Sequence, residues 1–329
     1  MKMTQLFRFS LCLAMAACMS VTADAADDLP VFTTVKEAGR DYKIQGEYKG
    51  TLKIDGKEVP FGAQVIALGD GKFHGVGYAG GLPGEGWKRG DEKKEGDGEL
   101  KDGIVTFKVE EMTGTIAKGK LTVVEGDKLL GTLKKVTRKS STMGAKPPKG
   151  AIVLFDGTSA DEFEGGEIVQ ENLLLANTFT KRKFKDHSFH LEFRTPFKPK
   201  GRGQARGNSG VYVNGRYEVQ VLDSFGLKGE NNECGGIYQI AVPAVNMCFP
   251  PLTWQTYDMD FTAPKYDDSG KKTENARVTV KHNGFVIHDN LELPKHTPGR
   301  HQESPAADEI YLQGHGNPVV YRNIWVIEK

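Results

Sequence analysis

Surplus charge, plentiful cysteine and long apolar stretches are what this chain does without. Lys and Arg number 44 against 43 Asp and Glu, a net charge of +1, so no global field favours nucleic acid or an anionic membrane surface. Beyond the amino terminus no apolar run is long enough to cross a bilayer. The four cysteines form no CxxC pair and have no close histidine, which argues against a structural zinc site. A sustained helical period is missing as well, which excludes helix bundles and doubly wound α/β folds.

What is present is glycine, 40 of 329 residues, together with many short runs that alternate apolar and polar side chains. Those are the marks of strands and tight turns, in a chain long enough for two domains. The expected fold is therefore all-β. From about Val31 to Arg138 short strands are separated by turns at Asp55-Gly56, Gly69-Asp70-Gly71, Asp97-Gly98 and Asp102-Gly103. The stretch from Gly77 to Glu99, rich in glycine and charge, reads as a mobile surface loop. The alternative is that its Trp87 stacks on a sugar or a partner.

The amino terminus reads as a secretory signal. Lys2 and Arg8 precede an apolar run from Leu11 to Val21, and Ala23-Asp24-Ala25 supplies a small-residue cleavage site after Ala25. A lipoprotein anchored at Cys18 is the alternative, with Met15 where leucine is usual. Either reading predicts export to the periplasm or the medium. Cys234 and Cys248 would then meet an oxidising compartment, and they are expected to form a disulfide, two free core thiols being the competing outcome.

The implied organisation is a signal at 1–25, a small β-domain at 26–139, a linker at 140–150 with Pro147-Pro148, and a second β-domain at 151–329. In that second domain Phe189, Leu191 and Phe193 alternate with His190, Glu192 and Arg194, and Tyr217, Val219 and Val221 alternate with Arg216, Glu218 and Gln220. Tyr212, Gln313 and His315 stand on further alternating runs. If these strands are neighbours in one sheet, their polar groups converge on one face suited to a carbohydrate. Asn283-Gly284 marks a two-residue hairpin turn, Asp223 falls where a strand should end, and Trp325 reads as core.

The segments VLFDG (Val153 to Gly157), FHLEFR (Phe189 to Arg194), GNSGVYVNGRYEVQVLDSF (Gly207 to Phe225), CGGIY (Cys234 to Tyr238), WQTYD (Trp254 to Asp258), HNG (His282 to Gly284) and LQGHGNPVVYRNIWV (Leu312 to Val326) carry a resemblance. In this order they resemble the 3-keto-disaccharide hydrolase domain family, and they cover nearly all of the second domain. The family often has Asp where this chain has Gly314. The first domain resembles an accessory β-domain of exported relatives and implies no activity of its own.

The resemblance implies a concanavalin A-like lectin and glucanase sandwich of jelly-roll type. It also implies chemistry on glycosides already oxidised at C3. A ketone at C3 acidifies the proton on C2, a base removes it, the enolate expels the group on C1, and water then adds to the enone. Candidate bases are Glu218 and His315, with Glu192 a third. Arg194, Asn208, Gln220 and Gln313 are candidates to hold sugar hydroxyls or the enolate, Tyr212 or Tyr238 to offer a ring or a proton, and Arg216 completes the polar row. Glu192, Glu218 and His315 are also ligand types for a divalent metal, which suits an enolate. Two rivals remain: a two-carboxylate glycosidase using Glu192 and Glu218, and a non-catalytic sugar-binding sandwich.

Overall fold

The computed structural model describes residues 29–329. The signal-like segment, with Cys12 and Cys18, lies outside the described residues.

Eight consecutive antiparallel strands, 46–54, 57–69, 72–79, 93–101, 104–109, 112–117, 120–125 and 128–136, form a barrel that closes where the last pairs with the first. The tight turns follow from the sequence. Asp55-Gly56, Asp70-Gly71 and Asp102-Gly103 have positive φ at both residues, the geometry that matches the twist of a two-residue hairpin. Asp97-Gly98, expected as a turn, instead lies inside the strand Lys93–Lys101. Gly98 is there for space, since a Cβ at that position would stand 2.6 Å from the Phe107 ring. Apart from Leu100 this strand is charge and glycine, and its neighbours supply the aromatic groups.

One barrel end is plugged. The short helix Gly39–Ile44 brings Tyr42 against Phe197, which reaches in from the second domain with ring centroids 5.3 Å apart. Phe32 and Phe197 exchange backbone hydrogen bonds of 2.9 Å. The Trp87 segment is also packed, in contrast to the expected mobile loop. Trp87 is buried edge-on against Tyr78 at 5.2 Å and joins the apolar core of the second domain with Ile66 and Val76. Arg89 donates to the carbonyls of Gly229 (2.7 Å) and Pro243 (3.0 Å). Arg138 pairs with buried Glu47 and lies over the Phe249 ring.

The second domain is a sandwich. One sheet has the order 163–164, 178–180, 311–312, 209–213, 217–221; the other has 168–169, 173–175, 320–328, 187–194, 255–262, 276–282, 285–293, with 152–155 beside 320–328. Phe189, Leu191, Phe193, Tyr257 and Phe261 of the larger sheet meet Val211, Val213, Tyr217, Val219 and Val221 of the smaller in one core. Strand alternation then forces the intervening polar residues outward from both sheets.

Cys234 and Cys248 are buried free thiols, which corrects the expected disulfide. The two thiols are hydrogen-bonded neighbours; the Cys234 sulfur also lies 3.3 Å from the Tyr257 hydroxyl, and the Cys248 thiol 3.5 Å from the Leu222 carbonyl.

Candidate active site

The hairpin 209–213/217–221 sets the outward face of the smaller sheet. Its register pairs Tyr212 with Glu218 and Gly210 with Gln220. Strand 311–312 flanks it, the Gln313 amide donating to the Gly210 carbonyl at 2.8 Å. Tyr238 reaches the other flank, its backbone N–H pointing at the Glu218 carbonyl at 3.4 Å. Tyr212, Glu218, Gln220, Gln313 and Tyr238 therefore do share one face.

Glu218 is the centre of this face. The Tyr212 hydroxyl lies 3.0 Å from Glu218 Oε2 and 2.8 Å from the Pro298 carbonyl, and Gln313 Nε2 lies 3.4 Å from the same hydroxyl. Gly210 is required opposite, because a Cβ there would sit 2.2 Å from Glu218 Oε1. Burial pushes the Glu218 carboxyl up to about 7, and the hydrogen bond from Tyr212 offsets this only in part. Burial, and then the charge of Glu218, raise the Tyr212 phenol in turn. A carboxyl so placed changes protonation near neutral pH, as a general base or acid must.

Buried polar atoms without partners lie on the same hairpin and at its start. Gln220 Oε1 and Asn208 Oδ1 are buried without a hydrogen-bond partner among the described residues, while Asn208 Nδ2 donates to Gln204. Arg206, which the sequence did not single out, pairs with buried Asp223 at 2.7 Å and leaves Nη2 unpartnered. Asp223 thus serves as a buried counter-ion and also turns the chain past the strand end as expected, its Oδ1 accepting from the Phe225 N–H at 3.4 Å. The signal that could have found Arg206 was its position beside Gly207, at the start of the same polar hairpin.

His315 is exposed on the loop after Gln313 and lines an open cleft of about 440 Å³ with Leu175, Ala176, Asn177 and residues 314–318. It stands two positions from Gln313, a chain distance of at most ~7 Å. Gly314 packs on Asn177, where a Cβ would be 2.4 Å from the Asn177 Cβ, so a larger residue has no room there without a shift.

The other expected residues lie elsewhere. Arg216 points to a loop: it donates to Gln302 O, Asn214 O and Ser304 Oγ and pairs with Asp308 at 3.1 Å. Glu192 and Arg194 stand on the outward face of the larger sheet, across the sandwich from Glu218. The expectation that these strands are neighbours in one sheet is corrected here, because they belong to different sheets. Glu192 accepts from Arg322 (2.6 Å), Asn323 (3.0 Å) and the Gly144 N–H (2.6 Å). Burial alone would raise it, but those bonds and His190 outweigh burial and hold it down at about 2. Arg194 lies over Trp254 and donates to Gln170.

Residues 140–145 close over that second face. Thr142 donates to Asp258 at 2.6 Å, and the Ala145 carbonyl accepts from Asn323 and Trp325. Trp325, expected in the core, stacks on His190 at 5.0 Å beneath this segment. With Glu192 committed to these partners, Glu192, Glu218 and His315 do not form a common metal site. The group His301, Asp308 and Glu309 has ligand atoms within 4.8 Å of one another, yet its carboxylates already face Arg216, Lys183 and Arg300.

The two-sheet β-sandwich bears a carboxylate amid tyrosines and amides on one outward face, the kind of groups with which a carbohydrate-active domain meets its ligand. The family model of the 3-keto-alpha-glucoside-1,2-lyase-like domain matches residues 150–327, and the chain belongs to that family. Among solved structures, one "putative glycosyl hydrolase" of Parabacteroides distasonis is 33% identical, covering 55% of this chain and 85% of that one, with a TM-score of 0.51. A second from the same organism is 15% identical over 55% and 94%, with a TM-score of 0.41. No curated protein matches the chain.

Proposed function

We propose that the sandwich cleaves glycosides oxidised at C3 by removing the C2 proton, expelling the C1 substituent and adding water. Membership of the lyase-like family supports the substrate class. The observation that carries the residue assignment is Glu218, buried on an outward polar face and pushed up to about 7. As the carboxylate it takes the C2 proton; the electron pair moves onto the C3 oxygen and, on its return, breaks the C1–O bond. Tyr212 steadies the carboxylate, and Gln220, Asn208 and Gln313 offer amide groups to sugar oxygens. His315, exposed two positions beyond Gln313, would return a proton to the departing oxygen.

A conventional glycosidase using Glu192 and Glu218 has no geometric support. Such pairs stand roughly 5–9.5 Å apart, whereas these two leave opposite sides of a sandwich whose sheets are themselves ~10 Å apart. A divalent metal on the Glu218 face would serve as a Lewis acid for the enolate.

Export through the amino-terminal signal completes the proposal and places the reaction outside the cytoplasm. The chemistry is tested by incubating the protein with a 3-keto glucoside and its unoxidised parent, with and without chelator, and following aglycone release. Release from the keto form alone is expected. Release from the parent alone would overturn the proposal, and loss on chelation would add a metal to it.

A further inference from the structure

The amino-terminal barrel holds an apolar cavity of about 80 Å³ that the sandwich chemistry does not use. Leu52, Ala63, Val65, Phe107, Leu121 and Val123 are among its walls, and Lys94 is the one charged residue lining it. Glycines make the space. Gly75 and Gly114 line it, and a Cβ at either would stand 3.1–3.2 Å from Phe107 or Leu121. A closed eight-stranded barrel is just wide enough for side chains to fill it or for one small ligand to enter. Here the side chains stop short of filling it.

The two ends of the barrel differ. The end with the turns at 55–56 and 110–111 carries Lys94, Phe61, Val109 and Met112 around the cavity, with Leu129, 60% exposed, in the strand just after the neighbouring 126–127 turn. The opposite end is shut by the helix Gly39–Ile44, Phe32 and Phe197. A guest must therefore enter past Lys94. That ammonium is already held by Glu92 and Glu110, both at 2.9 Å. Two carboxylates around one cation leave the rim with negative charge to spare, so an acid headgroup would be repelled.

We propose that the barrel is a binding site for a short neutral alkyl chain, tail inward and uncharged head at the Lys94 rim. Its volume is about half the ~150 Å³ of an engineered apolar cavity that stays dry and binds benzene. An apolar cavity of this kind gains by filling, since its lining atoms otherwise lack contacts on one side. This site is independent of Glu218 and of the reaction proposed for it.

The test uses the full chain with methyl-labelled methionine and titrates 1-propanol, propanoate and glucose while recording the Met112 methyl resonance. Propanol, small enough for a cavity of about 80 Å³, is expected to shift it saturably, propanoate to bind at least about tenfold more weakly, and glucose to do nothing. Ala63→Leu, which fills the cavity from one wall, should abolish the propanol shift; Val123→Phe does so from another wall should the first variant fail to fold. A non-saturable response to propanol, an unchanged response in a folded filled variant, or propanoate binding more tightly than propanol would overturn the proposal.

Discussion

Glu192 and Glu218 are the same residue on equivalent strand positions, one on each outward face of the sandwich, and they are 1% and 3% exposed. Their carboxyls are nevertheless driven in opposite directions, to about 2 and to about 7. The difference lies in what each burial includes. Around Glu192 stand an imidazole, a carboxamide, a backbone N–H and the half-exposed Arg322 guanidinium, all bonded to it, so the charged form is solvated by protein. Glu218 was buried beside a phenol and a glycine, so its charge is poorly solvated and the proton is held longer. Full satisfaction makes the first group a structural pin under the 140–145 segment; incomplete satisfaction makes the second a group that can exchange a proton.

The strongest attempt to break this comparison exchanges each glutamate for its amide. Glu218→Gln should lower turnover of a 3-keto glucoside by about 10²–10⁴-fold, the usual share of a general base, while urea unfolding shows a fold at least as stable. Glu192→Gln should leave turnover near the parent value and cost about 1–2 kcal/mol of stability, because the half-exposed Arg322 and the Gly144 N–H keep an acceptor but lose its charge. An activity loss in the second variant equal to that in the first would end the distinction.

Stability against pH should show opposite slopes. Glu192 has a folded value below the ordinary 4.5, so its contribution is present above 4.5 and is lost as pH falls toward about 2. Glu218 has a folded value above 4.5, so the folded state holds the proton more tightly. Its contribution is present below 4.5 and is lost as pH rises through about 7. Urea midpoints across pH should flatten in the acid window for Glu192→Gln and between 4.5 and 7 for Glu218→Gln. The same titration predicts that kcat/KM rises through about pH 7; a limb near 4.5 would remove Glu218 as the base.

The smallest effect is expected from Tyr212→Phe. Removing the donor makes the Glu218 carboxylate still harder to form, so the acid limb should move to higher pH and kcat/KM at neutral pH should fall roughly threefold to tenfold. A limb that moved to lower pH would show that Tyr212 acts otherwise.

Much of the fold was legible because strand alternation and Asp-Gly turns are local signals. Reading Asp97-Gly98 as a turn failed because Gly98 is a packing residue for Phe107, a partner on the next strand. Trp87 and Trp325 were misplaced for a related reason: what buries them, Tyr78 with the sandwich core and the 140–145 segment, is distant or irregular in sequence. On the site, Glu218, Gln220, Tyr212 and Gln313 were legible as a polar row. Arg206 was not, since its value comes from the unpartnered Nη2 left after it pairs with Asp223.

By itself, then, the sequence determined which side chains alternate and hence which residues are outward on each strand, because the two-residue period is a property of the backbone. Which outward residues face the same solvent was decided only by the tertiary structure. Placing 187–194 and 217–221 in different sheets put two similar glutamates on opposite sides of one core, and the groups buried with each then decided its charge.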